Sequence, residues 1–292
     1  MHPQNRPYTL CCSLFNLPQK AGALTVTDWD IAYDNAGHAP ESRKLAESWS
    51  QNAADYRASG VRMDDAISYG SAEREQFDLI WPDGDPKGLA VYVHGGYWHM
   101  RHRSDWTDLA EGARAKGWAV AIPGYSLAPD VRITQITRQV GAAINAAANL
   151  VNGPIRLAGH SAGGHLVSRM VCADTPLTLD CQARLEHVLS ISGLHDLRPL
   201  MQTKMNEILQ LDAEEAARES AALLEPNGQP VITCWVGGGE LPEFIRQAQL
   251  LPLIWRGFDV HSDCVIDGQH DHFTVIGDLK DPGSAITRAF VG

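Results

Sequence analysis

From Leu89 onward the chain alternates short apolar runs with longer stretches in which apolar residues return every three to four positions. Leu89–Val93, Trp118–Pro123, 155–159, 187–192, 231–236 and 259–266 read as strands. Runs this short and continuously apolar suit strands covered on both faces. Trp106–Ala115, Ile133–Val151, 163–173, 242–251 and a last stretch near 283–290 read as helices. Ile136, Val140, Ile144, Ala147 and Val151 mark one apolar stripe at helical spacing. Pro252 is expected to end or kink the helix before it. Strands alternating with helices predict an α/β fold with a mostly parallel, twisted sheet and helices on both faces.

Before Leu89 the pattern is less regular. Residues 1–25 show no firm period and are expected to form an N-terminal extension. From Thr27 to about Ser59 the spacing looks helical, with Trp29, Ile31, Tyr33, Leu45, Trp49 and Tyr56 placed for partial burial. Ala66–Tyr69 and Phe77–Trp81 predict a strand pair, with the turn Pro82-Asp83-Gly84-Asp85-Pro86 closing it. Segment 194–230 fits the alternation poorly and is the candidate for a cap-like insertion. No Pro/Gly/Ser-rich linker or charge block divides the chain, so 26–292 reads as one domain.

Composition narrows the partners. The chain has 292 residues, 44% hydrophobic and 20% charged, enough for a sizeable core. A formal charge of −11 at pH 7 argues against nucleic acid or an anionic membrane as the main partner and leaves a small-molecule substrate open. The same sequence is compatible with a homodimer. Cysteines at 11, 12, 172, 181, 234 and 264 form no C-x-x-C pair, and the last four lie in or near apolar runs, as buried thiols do. The stretch from Tyr8 to Phe15 is too short and weakly flanked for a signal peptide, and no run approaches a membrane span. The expectation is a soluble, reduced, cytoplasmic protein.

Four strand ends bear polar or glycine-rich sequence, and in a parallel sheet such ends gather at one edge. The first is His94-Gly95-Gly96-Tyr97-Trp98; the second is Gly159-His160-Ser161-Ala162-Gly163. The third is Gly237-Gly238-Gly239-Glu240, and the fourth runs from Asp267 to Phe273. G-x-S-x-G alone is weak, arising by chance in roughly one chain in eight of such composition. Here it follows a predicted strand and precedes a predicted helix, where a sharp turn exposes the serine and small flanking residues avoid a clash. Ser161 is therefore the candidate nucleophile. His272 or His270 could serve as its base, and Glu240 could orient the imidazole, with Asp196 and Asp267 as alternatives. Backbone N–H groups of Gly95, Gly96 and Ala162 would form the oxyanion hole. Tyr97, Trp98 and Trp106 could wall an aryl substrate. Twelve histidines invite a metal reading at His270-Asp271-His272 or His99/His102, but no H-E-x-x-H or Cys/His quartet supports one. No metal and no cofactor is expected.

Serine, acid and histidine in this order resemble the α/β-hydrolase superfamily over roughly residues 66–292. His94-Gly95-Gly96 and Tyr125-Ser126-Leu127-Ala128-Pro129 resemble its hormone-sensitive-lipase-like esterases. His94–Trp98, Ser192–Leu200 and the stretch from Val236 through Glu240 to Gln247 are similar to the kynurenine formamidase, or arylformamidase, group. The resemblance implies the α/β-hydrolase fold. It favours His272 over His270, because the family's histidine directly precedes an aromatic, here Phe273. The family commonly has aspartate where Glu240 stands. It implies hydrolysis of an aryl formamide, N-formylkynurenine first, through an acyl-serine. A carboxylesterase, amidase or imide hydrolase for another small aryl or heterocyclic compound is the alternative. A non-catalytic receptor of the same fold is disfavoured, because such proteins usually lose one of the three reacting residues.

Overall fold

The computed structural model describes residues 27–228 and 231–292. The extension expected over 1–25 lies outside the described residues. Eight strands form one sheet: β1 Met63–Ser68, β2 Gln76–Ile80, β3 Leu89–Val93, β4 Ala119–Pro123, β5 Ile155–His160, β6 Leu185–Ile191, β7 Val231–Gly237 and β8 Ser262–Asp267. Their spatial order is β1-β2-β4-β3-β5-β6-β7-β8. Strands β3 to β8 pair in parallel, while β2 runs antiparallel to both β1 and β4. This is the α/β-hydrolase fold.

The core lies on both faces of the sheet, and the pleat sorts residues between them. Val91 and Leu157 face the helix Ile133–Ala148, meeting Ile136, Val140 and Ile144. Ala90, Tyr92 and Leu189 face the other way, toward Trp106, Ile276 and Phe290. Strands β3 and β4 are buried at every residue, which is why they read as unbroken apolar runs.

Three expectations need correction. β1 and β2 do pair, but residues 69–75 join them, and Pro82–Pro86 instead leads out of β2 toward β3. A turn signal marks where the chain bends and not which strands it joins. The helix Pro242–Trp255 runs on through Pro252. Pro252 falls near its end, and the last turn is anchored by fully buried Trp255, whose indole N–H donates to Leu224 O at 3.1 Å. The helical region after Thr27 is broken into Trp29–Ala32, Asn35–His38, Pro40–Arg43 and Leu45–Ala58. Asp28 and Asp34 cap the first two pieces and Pro40 starts the third, so the chain can change direction between them. Ile31 and Leu45 are exposed there, not half-buried.

Glycines permit the close contact between strand ends. A Cβ on Gly163 would stand 2.0 Å from Val93 O, and one on Gly159 would stand 2.2 Å from Gly163 O. Gly163→Ala must push backbone apart, so it should lower the unfolding free energy in urea by about 1–3 kcal/mol. Gly257→Ala is the control: a Cβ there meets nothing within 4 Å. Its effect should stay within about 0.5 kcal/mol.

Candidate active site

At the end of β5 the chain reverses sharply into the helix Ala162–Arg169, and Ser161 takes φ 56° and ψ −117° to make the turn. A non-glycine residue there costs on the order of 1–3 kcal/mol and persists only where neighbours enforce it. The Ser161 N–H donates to Ile191 O at 2.8 Å, and the His165 N–H donates to Ser161 O at 3.1 Å. Gly95 abuts this turn so closely that a Cβ on it would lie 3.0 Å from Ser161 Cβ. Gly96 has φ 113°, a conformation that favours glycine. Ala162 is the first residue of its helix, so its N–H has no acceptor within that helix. Ser161, His272, Gly95, Gly96, Tyr97 and Trp106 all line one cavity of about 680 Å³.

His272 Nδ1 lies 2.7 Å from Glu240 Oε2. A carboxylate only accepts, so Nδ1 is the donor and Nε2 is left as the basic nitrogen. The other oxygen, Oε1, accepts from Ser192 Oγ at 2.5 Å and from the Gly237 N–H at 2.8 Å. Glu240 is thus buried with three donors and held in one orientation. The His272 ring packs between Phe244 and His160, each centroid 4.7 Å away. His160 Nε2 donates to His272 O at 3.0 Å. Burial, reinforced by His272, holds His160 well below the usual imidazole range. It stays uncharged at neutral pH and does not oppose a proton on His272.

The alternatives sit elsewhere. His270 Nδ1 pairs with Asp267 Oδ2 at 2.9 Å, toward the surface. Asp196 takes the Arg198 guanidinium at 2.9 Å on both oxygens. Asp271 receives Ser42 and Thr274, so His270, Asp271 and His272 each face different partners. Trp98 is a correction. It is fully buried away from the cavity, with its indole N–H on His165 Nδ1 at 3.2 Å. Neighbouring side chains of a tight turn point apart, and only Tyr97 reaches the cavity. Even there the hydroxyl is engaged, donating to Tyr33 O at 2.7 Å and accepting from Asn35 Nδ2 at 3.2 Å.

Sequence reasoning missed the roof. Asp30, Tyr33, Asn35 and Arg43 line the cavity from the short N-terminal helices and their caps, and Glu47 and Trp49 from the longer helix Leu45–Ala58, whereas segment 194–230 lends Thr203 and Met205. The aromatics at 29, 33 and 49 were the available signal, though nothing in their spacing named a cavity.

A model of the α/β-hydrolase fold matches residues 90–228. A kynurenine formamidase from Danio rerio is 30% identical over 235 residues, covering 76% of this chain and 78% of its own. The chain belongs to the α/β-hydrolase family, in its kynurenine formamidase branch. As a member of that family it is a hydrolase. A solved structure from a Silicibacter species, described as a candidate thioesterase, superposes with a TM-score of 0.85 at 42% identity, covering 91% of this chain and 100% of that one. Esterase B from Lactobacillus shares the fold, with a TM-score of 0.66 at 15% identity over 87% of this hydrolase and 92% of its own chain. No helix among the described residues is long and apolar enough to cross a membrane.

Several buried histidines hold the site's surroundings in their neutral form. Burial pushes His94 down to about 4, His165 to about 3 and His195 to about 4, against a smaller upward pull from backbone carbonyls. The unfolded chain would protonate all three near 6.5. Between pH 6.5 and about 4 the unfolded state therefore binds more protons, and the stability present above pH 6.5 drains away as pH falls. Melting temperature measured against pH should drop steadily across that window, and a flat profile would contradict the buried neutral assignments.

Proposed function

We propose that this hydrolase cleaves small aryl formamides, with N-formylkynurenine as substrate, giving kynurenine and formate through a formyl-serine. The observation that carries the reading is the Glu240–His272 hydrogen bond at 2.7 Å beside a cavity that Ser161 and Gly95 also line. The formamide preference comes from the curated relative.

His272 Nε2 takes the proton of Ser161 Oγ as the oxygen attacks the formyl carbon. Negative charge moves to the carbonyl oxygen, where the N–H groups of Ala162 and the Gly95–Gly96 turn receive it. The C–N bond then breaks as His272 returns the proton to the departing nitrogen. Water repeats the sequence on the formyl-serine, losing its proton to His272 and releasing formate. Glu240 keeps Nδ1 as the donor and offsets the imidazolium charge. No step needs a metal or cofactor. The free thiols Cys172, Cys181, Cys234 and Cys264 support a reducing, cytoplasmic setting.

A second reading, an ester or thioester hydrolase, is favoured by the 42% identical relative described as a candidate thioesterase. The same reacting groups serve either bond, so the pocket decides. Comparing kcat/KM for N-formylkynurenine, 4-nitrophenyl butyrate and an aryl thioester separates them. The formamide should be preferred, and turnover of esters without the formamide would overturn the proposal. Ser161→Ala should abolish both turnover and labelling by a fluorophosphonate. Glu240→Gln should lower kcat by about 10³–10⁴-fold while the protein stays folded.

A further inference from the structure

We propose that Arg101 binds a carboxylate on the substrate and so selects aryl formamides that carry one over those that do not. The inference rests on the formamidase reading and adds the recognition of the part of the substrate that does not react.

Arg101 lines the same cavity as Ser161 and His272. Its guanidinium sits over the Trp49 ring, 5.2 Å from the centroid, within reach of the cation–π attraction. Among the described residues that guanidinium has no carboxylate partner, although Asp30, Asp34 and Glu47 line the same cavity. Asp34 accepts the Gly37 N–H at 2.9 Å, and Asp30 accepts the Lys204 N–H at 2.7 Å. Trp49 packs in turn on Phe273 at 6.3 Å, the residue after His272. Arg101, Trp49, Phe273 and His272 thus form one continuous stretch of wall from the cation to the basic ring.

The backbone is built to present this side chain. Gly96, Tyr97, Trp98 and Arg101 have φ of 113°, 46°, 59° and 80°, so the loop that brings Gly95 beside Ser161 stays strained as far as Arg101. Arg74 ties its end down: Nη2 donates to Arg101 O, while Nε donates to Tyr125 O at 2.9 Å and fixes the Arg74 side chain. Arg43 also lines the cavity but is solvent-exposed on its helix and has no ring beneath it. A carboxylate that leaves water for the cavity needs a charged hydrogen-bond donor to offset its lost hydration, and Arg101 supplies one.

The test pairs a change in the enzyme with a change in the substrate. N-formylkynurenine is compared with its carboxamide, which lacks the carboxylate, in the wild type and in Arg101→Gln. In the wild type the carboxamide should lose about 10–100-fold in kcat/KM, mostly through KM, as expected for binding equal in ground and transition states. In Arg101→Gln the two substrates should lie within about threefold of each other, because the two changes remove the same contact. Additive losses, or equal losses on both substrates, would overturn the assignment and make Arg101 a support of the loop only. A parallel measurement does not depend on formamide turnover. Inhibition of 4-nitrophenyl butyrate hydrolysis by kynurenine should exceed that by kynurenine carboxamide in the wild type and not in Arg101→Gln. If no formamide is cleaved yet this difference persists, the formamidase reading fails and the carboxylate site stands. If neither compound inhibits, the carboxylate site fails.

Discussion

The arrangement depends on backbone touching backbone where β3, β5 and β6 end. Gly163 lies against the Val93 carbonyl, Gly164 against Ile191 and Gly95 against His160, each too close for a side chain. Only this proximity lets the Ser161 N–H reach Ile191 O while the Gly95 turn stays beside the serine. A methyl group at any of these points would force the strand ends apart, and at Gly95 it would also press on Ser161 itself. Steric exclusion among glycines therefore comes first, and the electrostatics of the site are built upon it.

Around that junction, polar groups are arranged so that few have freedom. Glu240 has all its neighbours on the carboxylate and points one oxygen at His272. His160 grips the His272 carbonyl, and His195 donates to Gln247 O at 2.8 Å. Neutral rings pin these loops without adding charge near His272. The cost is sensitivity to acid, since every such ring gains a reason to unfold as protons become available.

The sheet was legible in the sequence because strands buried on both faces leave continuous apolar runs, as in Leu89–Val93 and Trp118–Pro123. Ser161, Glu240 and His272 stood out as candidates because each lies just past a strand, although β8, before His272, is a half-exposed edge strand. Their proximity then needed no knowledge of the helices. Partner choice was legible only in part: the β1–β2 pair was read, but Pro82–Pro86 looked like its turn, and the pairing of β2 with β4 has no local signal. The roof was hidden for a related reason. Its helices between Trp29 and Arg43 span single turns, too short to display a period, and they are fixed by caps and distant contacts. Trp98 looked equivalent to Tyr97 because a sequence does not show which way adjacent side chains leave a left-handed turn.

Those distant contacts also set an order of assembly. Tyr33 donates to Glu243, His38 to the Gly239 carbonyl and Ser42 to Asp271, across separations of 210, 201 and 229 residues. The roof is made well before the surfaces it docks on. Closing so long a loop is entropically slow, and it can happen only once β7, β8 and the segment bearing His272 have emerged. A chain cut before Val231 would lack Glu243, Gly239 and Asp271, the residues on which Tyr33, His38 and Ser42 close, so cavity and roof form together or not at all.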